Sequence, residues 1–390
     1  MHNIDIPVIV IGGNHHNTLG VIRSLGRNNI YPFVILTSAS TNSFVLKSKY
    51  IKKSYVVNNS ESAIDLLIST FVTEEVKPVV IACHDVISSQ IDLNRQRLDP
   101  YFVLPGCKES GRVTYYMDKS KMGKLAEECG LCVPQTILLS RSSYRIEQEI
   151  NFPCITKPVQ SRIGSKSDIH ICYNRDDLLS IIGPNELLIQ HYVEKQFEFQ
   201  LIGCSLEDGK HVIIPGVSVI LRQPATTNTG FLHYKPLDDS FTETVKKTEE
   251  YIKNIGYSGL FSVEYLRDIN GIDYFMEINF RNDGNAISVT NAGVNLPYLW
   301  YRYAIGERFK EESHFIHDEF VMPEFAELSL LEQGQITFHQ WRLDMRKSTS
   351  YMDYASDDPL PTRGWKNYCI RFARVVIKLV LKKLLRYEAN

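Results

Sequence analysis

The chain has 390 residues, 44% of them hydrophobic and 23% charged, with a formal net charge of −2. That length holds two or three domains' worth of core, and the composition is that of a folded globular protein rather than a disordered or fibrous one. The near-neutral total excludes a globally basic nucleic-acid binder, and the lack of any apolar run of about 18 residues predicts no membrane-spanning helix.

Residues 1–108 alternate strand and helix signals. Val8 to Ile11 reads as a buried strand, Gly12-Gly13-Asn14 as a turn and Leu19 to Asn28 as a helix. Pro32 to Leu36 is the next strand, Ile64 to Glu75 a helix and Pro78 to Ala82 a third strand. The alternation predicts an α/β unit with an open parallel sheet, whose ligands bind beyond the C-terminal strand ends. Gly12 to Asn17 and His84-Asp85 fall at two such ends, making Gly13, Asn14 and Asp85 candidates for holding substrate. Asp85 has the plainer reading of a helix cap. The glycine spacing around Gly12-Gly13 is not that of a dinucleotide fingerprint, and His15-His16 reads as a pair of polar loop residues. Ile6 to Ile11 is too short, and lacks the basic flank, for a secretory signal.

Beyond residue 108 the pattern changes to mixed α+β. Met117-Asp118-Lys119 opens a helical stretch that Gly130 and Pro134 stop. Phe152 to Pro158 (FPCITKP) is a short apolar strand closed by Lys157, and Gln160 to Asp168 follows as a segment with Gly164 and Ser165. Leu187 to Phe199 (LLIQHYVEKQFEF) is β-rich. Phe261 to Leu266 and Ile272 to Ile278 flank an Asp-Ile-Asn-Gly turn, a strong hairpin signal. Pairing across that turn would bring Glu264, Glu277 and Asn279 to one face, an all-oxygen set suited to Mg²⁺. Arg281 continues the same side by strand alternation. Asn291 to Gly306 is an apolar helix whose aromatics read as core, and residues 315–362 carry no recognisable chemistry.

The hairpin ending in Glu-x-Asn-x-Arg, with the upstream segments in order, resembles the ATP-grasp family, over roughly residues 5–310. The N-terminal VIVIGGNHHNTLGVIRSLGR is similar to the D-aspartate ligase-like, carbamoyl-phosphate-synthase-type branch of carboxylate–amine ligases. The resemblance implies a pre-ATP-grasp domain at 1–108 and a two-lobed ATP-grasp unit at 109–315, with its small lobe at about 134–188. An extension would follow at 316–362 and a basic helix at 363–390. It implies ATP and two Mg²⁺ ions, with Mn²⁺ as a substitute, held by Glu264, Glu277 and Asn279. Lys119, with Lys121 as the fallback, and Lys157 would reach the phosphates, and Gly164 and Ser165 would cover them. Gln190, His191 and Val193 would border the adenine, although Gln190 stands where an acid is commoner. Glu198 would bind the ribose, Arg281 would stabilise the transferring group, and Arg222 falls where substrate is often recognised. The activity implied is joining a small-molecule carboxylate to an amine through an acyl phosphate. The acceptor could be an amino acid or an envelope glycan precursor. A small-molecule kinase or a nucleotide-binding scaffold shares these landmarks, while a biotin-type carboxylase is disfavoured by the absence of a Met-Lys-Met carrier segment.

The eight cysteines are scattered, and Cys129-x-x-Cys132, the one close pair in sequence, reads as helix-end thiols in a reducing cytosol. Eight of the 43 Lys and Arg residues, but one of the 45 Asp and Glu residues, fall within 363–390, leaving the remainder near −9. Trp365 to Tyr387 reads as one helix with Arg371, Arg374, Lys378, Lys382 and Arg386 in a stripe. Cys369, Val376, Val380, Leu384 and Tyr387 lie opposite, widened by Trp365, Phe372, Ile377 and Leu381. Such a helix suits an anionic membrane surface at the inner face of the cell membrane, or a docking face on its own domain or on a second subunit of a homodimer.

Overall fold

The computed structural model describes residues 6–73, 76–139, 150–158, 169–181, 187–223, 229–307, 316–362 and 369–378. Its N-terminal sheet holds β1 (Val8–Gly12), β2 (Phe33–Thr37), β3 (Lys53–Val57) and β4 (Val79–Ala82) in the order β3-β2-β1-β4. Every pairing in it is parallel. The apolar β1, β2 and β4 match the sequence expectation. The edge strand β3 escapes it, because Lys53 and Ser54 are exposed and its remaining residues only half-buried. Helices on both faces fill the layers. His16–Gly26 starts three residues before the expected helix, since His15 Nδ1 accepts from the Asn17 N–H and acts as the cap. Ser60–Phe71 likewise starts early, capped by Asn59.

A small antiparallel sheet follows, with β5 (Thr136–Leu139), β6 (Cys154–Pro158), β7 (His170–Cys172) and β8 (Leu187–His191) in the order β5-β8-β6-β7. Its own core is slight: Leu139, Cys154, Cys172, Leu178 and Ile189.

The eight-stranded sheet is built from β9 (Lys195–Leu206), β10 (His211–Ile213), β11 (Gly216–Arg222), β12 (Phe231–Pro236), β13 (Gly259–Asp268), β14 (Asp273–Asn279), β15 (Glu319–Met322) and β16 (Ser350–Tyr351). Its order is β14-β13-β9-β11-β12-β15-β16, with β10 paired to β9. One face packs against the helices Lys119–Glu128 and Thr242–Ile255 through Met122, Ala126, Tyr251, Phe199, Tyr265 and Phe275. Another core joins it to the N-terminal sheet through Val10, Ile81, Ile202, Cys204 and Trp300. The aromatic run at 291–306 is core, as read, but it breaks into Ile287–Asn291 and Leu296–Ala304 at Gly293, where φ is +121°.

Residues 316–362, which showed no chemistry in sequence, extend the large sheet through β15 and β16 and add the helices Glu324–Gln333 and Phe338–Lys347. A strap at 353–358 then crosses back to the N-terminal unit. Arg23, buried at 1% exposure, donates from Nε to Asp358 Oδ2 at 3.1 Å and to the carbonyls of Asp353 and Asp358. Ser48 Oγ and the Lys49 N–H complete the hydrogen bonding of the Asp358 carboxylate. A buried carboxylate is tolerated where such donors satisfy it.

The tail helix corrects the expected stripe. Residues 369–378 are helical, with Val375 buried beside Leu328, Leu331 and Trp341 and Phe372 packed against them. Arg371, the first member of the basic stripe, pairs with Glu332, while Cys369 and Ile377 of the expected apolar face are exposed. The docked face therefore runs through Phe372 and Val375, and keeps Phe372 of the expected apolar face. Among the described residues no helix is long and apolar enough to cross a membrane.

Candidate active site

The hairpin forms where the turn residues demand it. Gly271 takes φ +83°, its N–H bonds Asp268 O at 3.1 Å, and Asp268 Oδ1 accepts from the N–H groups of Asn270 and Ile272. This is the hydrogen bonding by which Asp and Gly close a tight connection. A bulge at Met276 resets the register so that Glu264 lies directly opposite Glu277, and Ser262 opposite Asn279. Like carboxylates placed across from one another repel, so this pairing needs compensation, and Lys119, Lys157 and Arg281 supply it.

Lys119 opens its helix beside the Asp118 cap, whose carboxylate accepts from Ser120 and Lys121 N–H, and its Nζ reaches Glu277 Oε2 at 3.0 Å. Lys121 instead lies over the Tyr115 ring at 4.3 Å, so Lys119 rather than the fallback enters the cluster. Lys157, at the end of β6, donates to Gln190 Oε1 at 2.8 Å. Arg281 donates to Asn279 Oδ1 and Asp283 Oδ2, each at 3.0 Å, and its Nε lies 3.2 Å from Asp85 Oδ1.

The electrostatics follow from this crowding. Burial, then Glu277 and Asp283, push the Glu264 carboxyl up to about 8. Burial opposes charge on Glu277 as well, but Lys119, Lys157 and Arg281 outweigh it and hold its pKa below the ordinary carboxylate value. Burial and neighbouring Lys119 bring the Lys157 ammonium down to about 8. For Arg281, Asp85 and Asp283 overcome burial and raise its pKa. Perturbed groups of both signs converging on one recess mark a functional site.

The donor set fits Mg²⁺. Among the described residues no group of three His, Cys, Asp or Glu side chains could hold a metal. Two carboxylates and the Asn279 amide oxygen are instead an incomplete oxygen shell, of the kind a Mg²⁺ ion completes with phosphate oxygens and water.

Several residues of this recess have no separate signal in sequence. Gln200 Nε2 and Asn279 Nδ2 each donate to Glu264 Oε1 at 3.3 Å, and Ser262 Oγ donates to Asp283 Oδ2 at 2.9 Å. Asn285 Nδ2 holds Gln200 Oε1 at 2.8 Å. Asn17 donates to the carbonyls of Cys83 and Asn282 and accepts from Asn282 Nδ2 at 2.6 Å, which ties the start of the His16–Gly26 helix to the segment after Arg281. The polar run Arg281-Asn282-Asp283-Gly284-Asn285 was the available clue.

The N-terminal candidates come only partly into this recess. Asp85 does so through Arg281, and it does not cap its helix; the side chain of His84 accepts the Ile87 N–H instead. Gly12 is sterically required, because a Cβ there would sit 2.2 Å from Thr18 Oγ1. Gly13 faces open space, whereas the side chain of Asn14 turns to the Val45 N–H. His16 is buried next to Gly284 and bonds Thr229.

Three other expectations change. The Gln190 side chain is engaged by Lys157 and Thr136 Oγ1, so it anchors a lysine. The His191 N–H bonds Gln135 O and the Tyr192 N–H bonds Pro153 O, which leaves Val193 as the remaining choice for an amide facing a base. Arg222 is held by Glu327 and by Asp344 at 2.8 Å, which ties it to the C-terminal helices. Glu198 pairs with Lys195 at 2.5 Å on β9. Gly164 and Ser165 lie outside the described residues.

No family model matches the chain. It is similar to the 2-oxoglutarate carboxylase small subunit of Hydrogenobacter thermophilus, 27% identical over 187 residues, covering 43% of this chain and 38% of that one. It is also similar to a D-alanine–D-alanine ligase of Fervidobacterium nodosum, 24% identical over 168 residues, covering 38% and 51%. Among solved structures, an L-amino acid ligase from Bacillus licheniformis superposes with TM-score 0.63 at 14% identity, covering 81% of each chain. N5-carboxyaminoimidazole synthetase from Staphylococcus aureus gives 0.65 at 15%, covering 86% of each.

The chain has the ATP-grasp fold. At these identities the solved structures speak for the ATP-grasp architecture alone, and the chain spans about half or less of the length of the curated relatives it matches.

Proposed function

We propose that this ATP-grasp chain is an ATP-dependent ligase that activates a small carboxylate as an acyl phosphate and joins it to an amine, releasing ADP and phosphate. The observation that carries the reading is the convergence of Lys119, Lys157, Glu264, Glu277, Asn279 and Arg281 on one recess. A D-alanine–D-alanine ligase among the relatives and an L-amino acid ligase among the structural neighbours support it.

In this reading Glu264, Glu277 and Asn279 hold Mg²⁺, which would neutralise phosphate charge. Lys119 and Lys157 bind phosphate oxygens, and Glu277, already compensated by Lys119, is ready to exchange that partner for the cation. Arg281, positioned by Asp283 and Asp85, faces the charge that develops on the phosphoryl group and then on the acyl phosphate. Catalysis is positioning and charge neutralisation, with no side-chain nucleophile. Val193 is the proposed adenine contact and Glu198 the ribose ligand; residues 160–168 would exclude water from the acyl phosphate. The proposed units are 1–108, 109–315 with a small lobe at 134–188, 316–362 and 363–390.

The test is release of ADP and phosphate from MgATP across pooled acids and amines, with Glu277→Ala as the blank. Release that requires both an acid and an amine supports the ligase. ADP without free phosphate would replace it with a small-molecule kinase, and ADP and phosphate without an amine would end the amide-forming claim.

For the tail we propose a cytoplasmic protein resting peripherally on anionic membrane. Arg374 and Lys378, with Ile370 and Ile377 at 52% and 57% exposure, face away from the docked side. Full-length protein that stays in the supernatant with anionic liposomes at low salt would leave a protein contact as the use of that face.

A further inference from the structure

The sequence pairs Cys129 with Cys132, but the fold pairs two other cysteines. Cys129 ends its helix and accepts from Asn254 Nδ2 at 3.4 Å, while Cys132 is exposed and its backbone bridges to Tyr274. Cys154 on β6 and Cys172 on β7 are instead direct partners in an antiparallel register. Both side chains enter the same small core, at 1% and 0% exposure, with Leu139, Leu178 and Ile189. Burial pushes the Cys154 thiol up to about 11, and its neighbour Cys172 adds to the rise. The two thiols therefore sit protonated against one another at neutral pH.

We propose that Cys154 and Cys172 form a reversible cross-strand disulfide, with a glutathione-type disulfide as oxidant, and that this bond loosens the hold of the small lobe on nucleotide. In the first step one cysteine gives up its proton to solvent, attacks the external disulfide as the thiolate and expels one thiolate. The second cysteine then gives up its proton, attacks the mixed disulfide and expels the other. The two protein thiols lose two electrons and two protons, and the oxidant becomes two free thiols.

Geometry links the bond to the active site. Side chains opposite one another on paired strands keep their Cβ atoms roughly 4.5–5.5 Å apart, whereas a disulfide needs about 3.5–4.5 Å. Oxidation thus draws β6 and β7 together by about 1 Å, at a point three residues before Lys157. Lys157 is placed by Gln190 of β8, which pairs with the other side of β6. Displacements of this size cost up to about 10²-fold where phosphate positioning matters. The effect on nucleotide rests on the reading of this recess as the ATP site; the bond itself does not.

The test uses the full chain with the two exposed cysteines removed as Cys132→Ser and Cys369→Ser. It is incubated with oxidised glutathione at mildly alkaline pH. Free thiols are counted, the crosslink is mapped in a non-reducing digest, and binding of a fluorescent ADP analogue with Mg²⁺ is titrated. The expected result is the loss of two thiols, a Cys154–Cys172 link and a roughly tenfold weaker Kd, all reversed by dithiothreitol. An added Cys172→Ser should abolish the link and the shift together. An unchanged thiol count in folded protein, or a link between other cysteines, overturns the proposal. A mapped link with unchanged Kd overturns its functional half. Reduced protein that binds no analogue overturns the nucleotide reading, and the link is then judged by mapping alone.

Discussion

The C-terminal strap and the candidate active site both take charges out of water, but they balance them differently. In the strap, Arg23 and Asp358 face each other at 2% and 1% side-chain exposure, and each has further hydrogen-bond partners. Arg222 with Glu327 and Asp344 is a second closed group of this kind. In the recess, Glu264 lies opposite Glu277, and Lys157 has a neutral amide as its hydrogen-bond partner. The closed groups hold the C-terminal extension to the rest of the chain. The recess keeps charges whose best partners are a cation and an anion supplied from outside, which is the physical signature of a binding site.

That contrast predicts opposite responses to mutation. Glu277→Ala should lower turnover by at least about 10²–10³-fold while leaving the melting temperature unchanged or higher, because it also relieves Glu264. Calorimetry and a phosphate-release assay on the same preparation would check both halves. Asp358→Ala should do the reverse. Leaving Arg23 buried without its partner should cost roughly 3–5 kcal/mol in urea unfolding, with normal activity per folded molecule. A strap variant that loses activity at full stability would break the comparison.

A milder change at the boundary of the recess is Gln190→Ala. Losing a hydrogen bond to a charged group is worth about 1.5–3 kcal/mol, so the KM for ATP should rise on the order of tenfold or more with little change in unfolding midpoint. Steady-state kinetics at varied ATP would read this directly. An unchanged KM would mean that Lys157 is placed by β6 alone.

The smallest effect concerns the one like-charge pair at the root of the strap. Burial and then Asp353 raise the Glu324 carboxyl to about 7, although the Asp353 and Tyr354 N–H groups donate to it. Its folded pKa lies above the unfolded value, so the native state keeps the proton longer. This site therefore lowers stability progressively as pH rises from about 4.5 to about 7. Glu324→Gln should flatten that slope, and melting temperatures across that pH range would show whether it does.

Much of the recess was legible because its chemistry is local in the chain. The Asp-Ile-Asn-Gly turn fixes a hairpin, strand alternation sets Glu277, Asn279 and Arg281 on one side, and Asp118 caps the helix that presents Lys119. Arg222 shows where such reading stops. Its position next to a loop made it look like a substrate ligand, yet Glu327 and Asp344 lie more than a hundred residues away, and no pattern around Arg222 announces them. The same holds for Gln190, whose amide is defined by Lys157 on the neighbouring β6, and for the tail helix, whose docked side is set by Leu328, Leu331 and Trp341.

The sequence by itself determined the elements and the inventory of reactive groups, since turn chemistry, capping and hydrophobic period act within a few residues. Only the tertiary structure decided which charges are neutralised. That depends on what burial brings together from distant segments: Asp85 onto Arg281, Asn17 onto Asn282, Cys172 onto Cys154, and Asp358 onto Arg23. Electrostatic energy falls off with distance in space, and the chain order does not contain that distance.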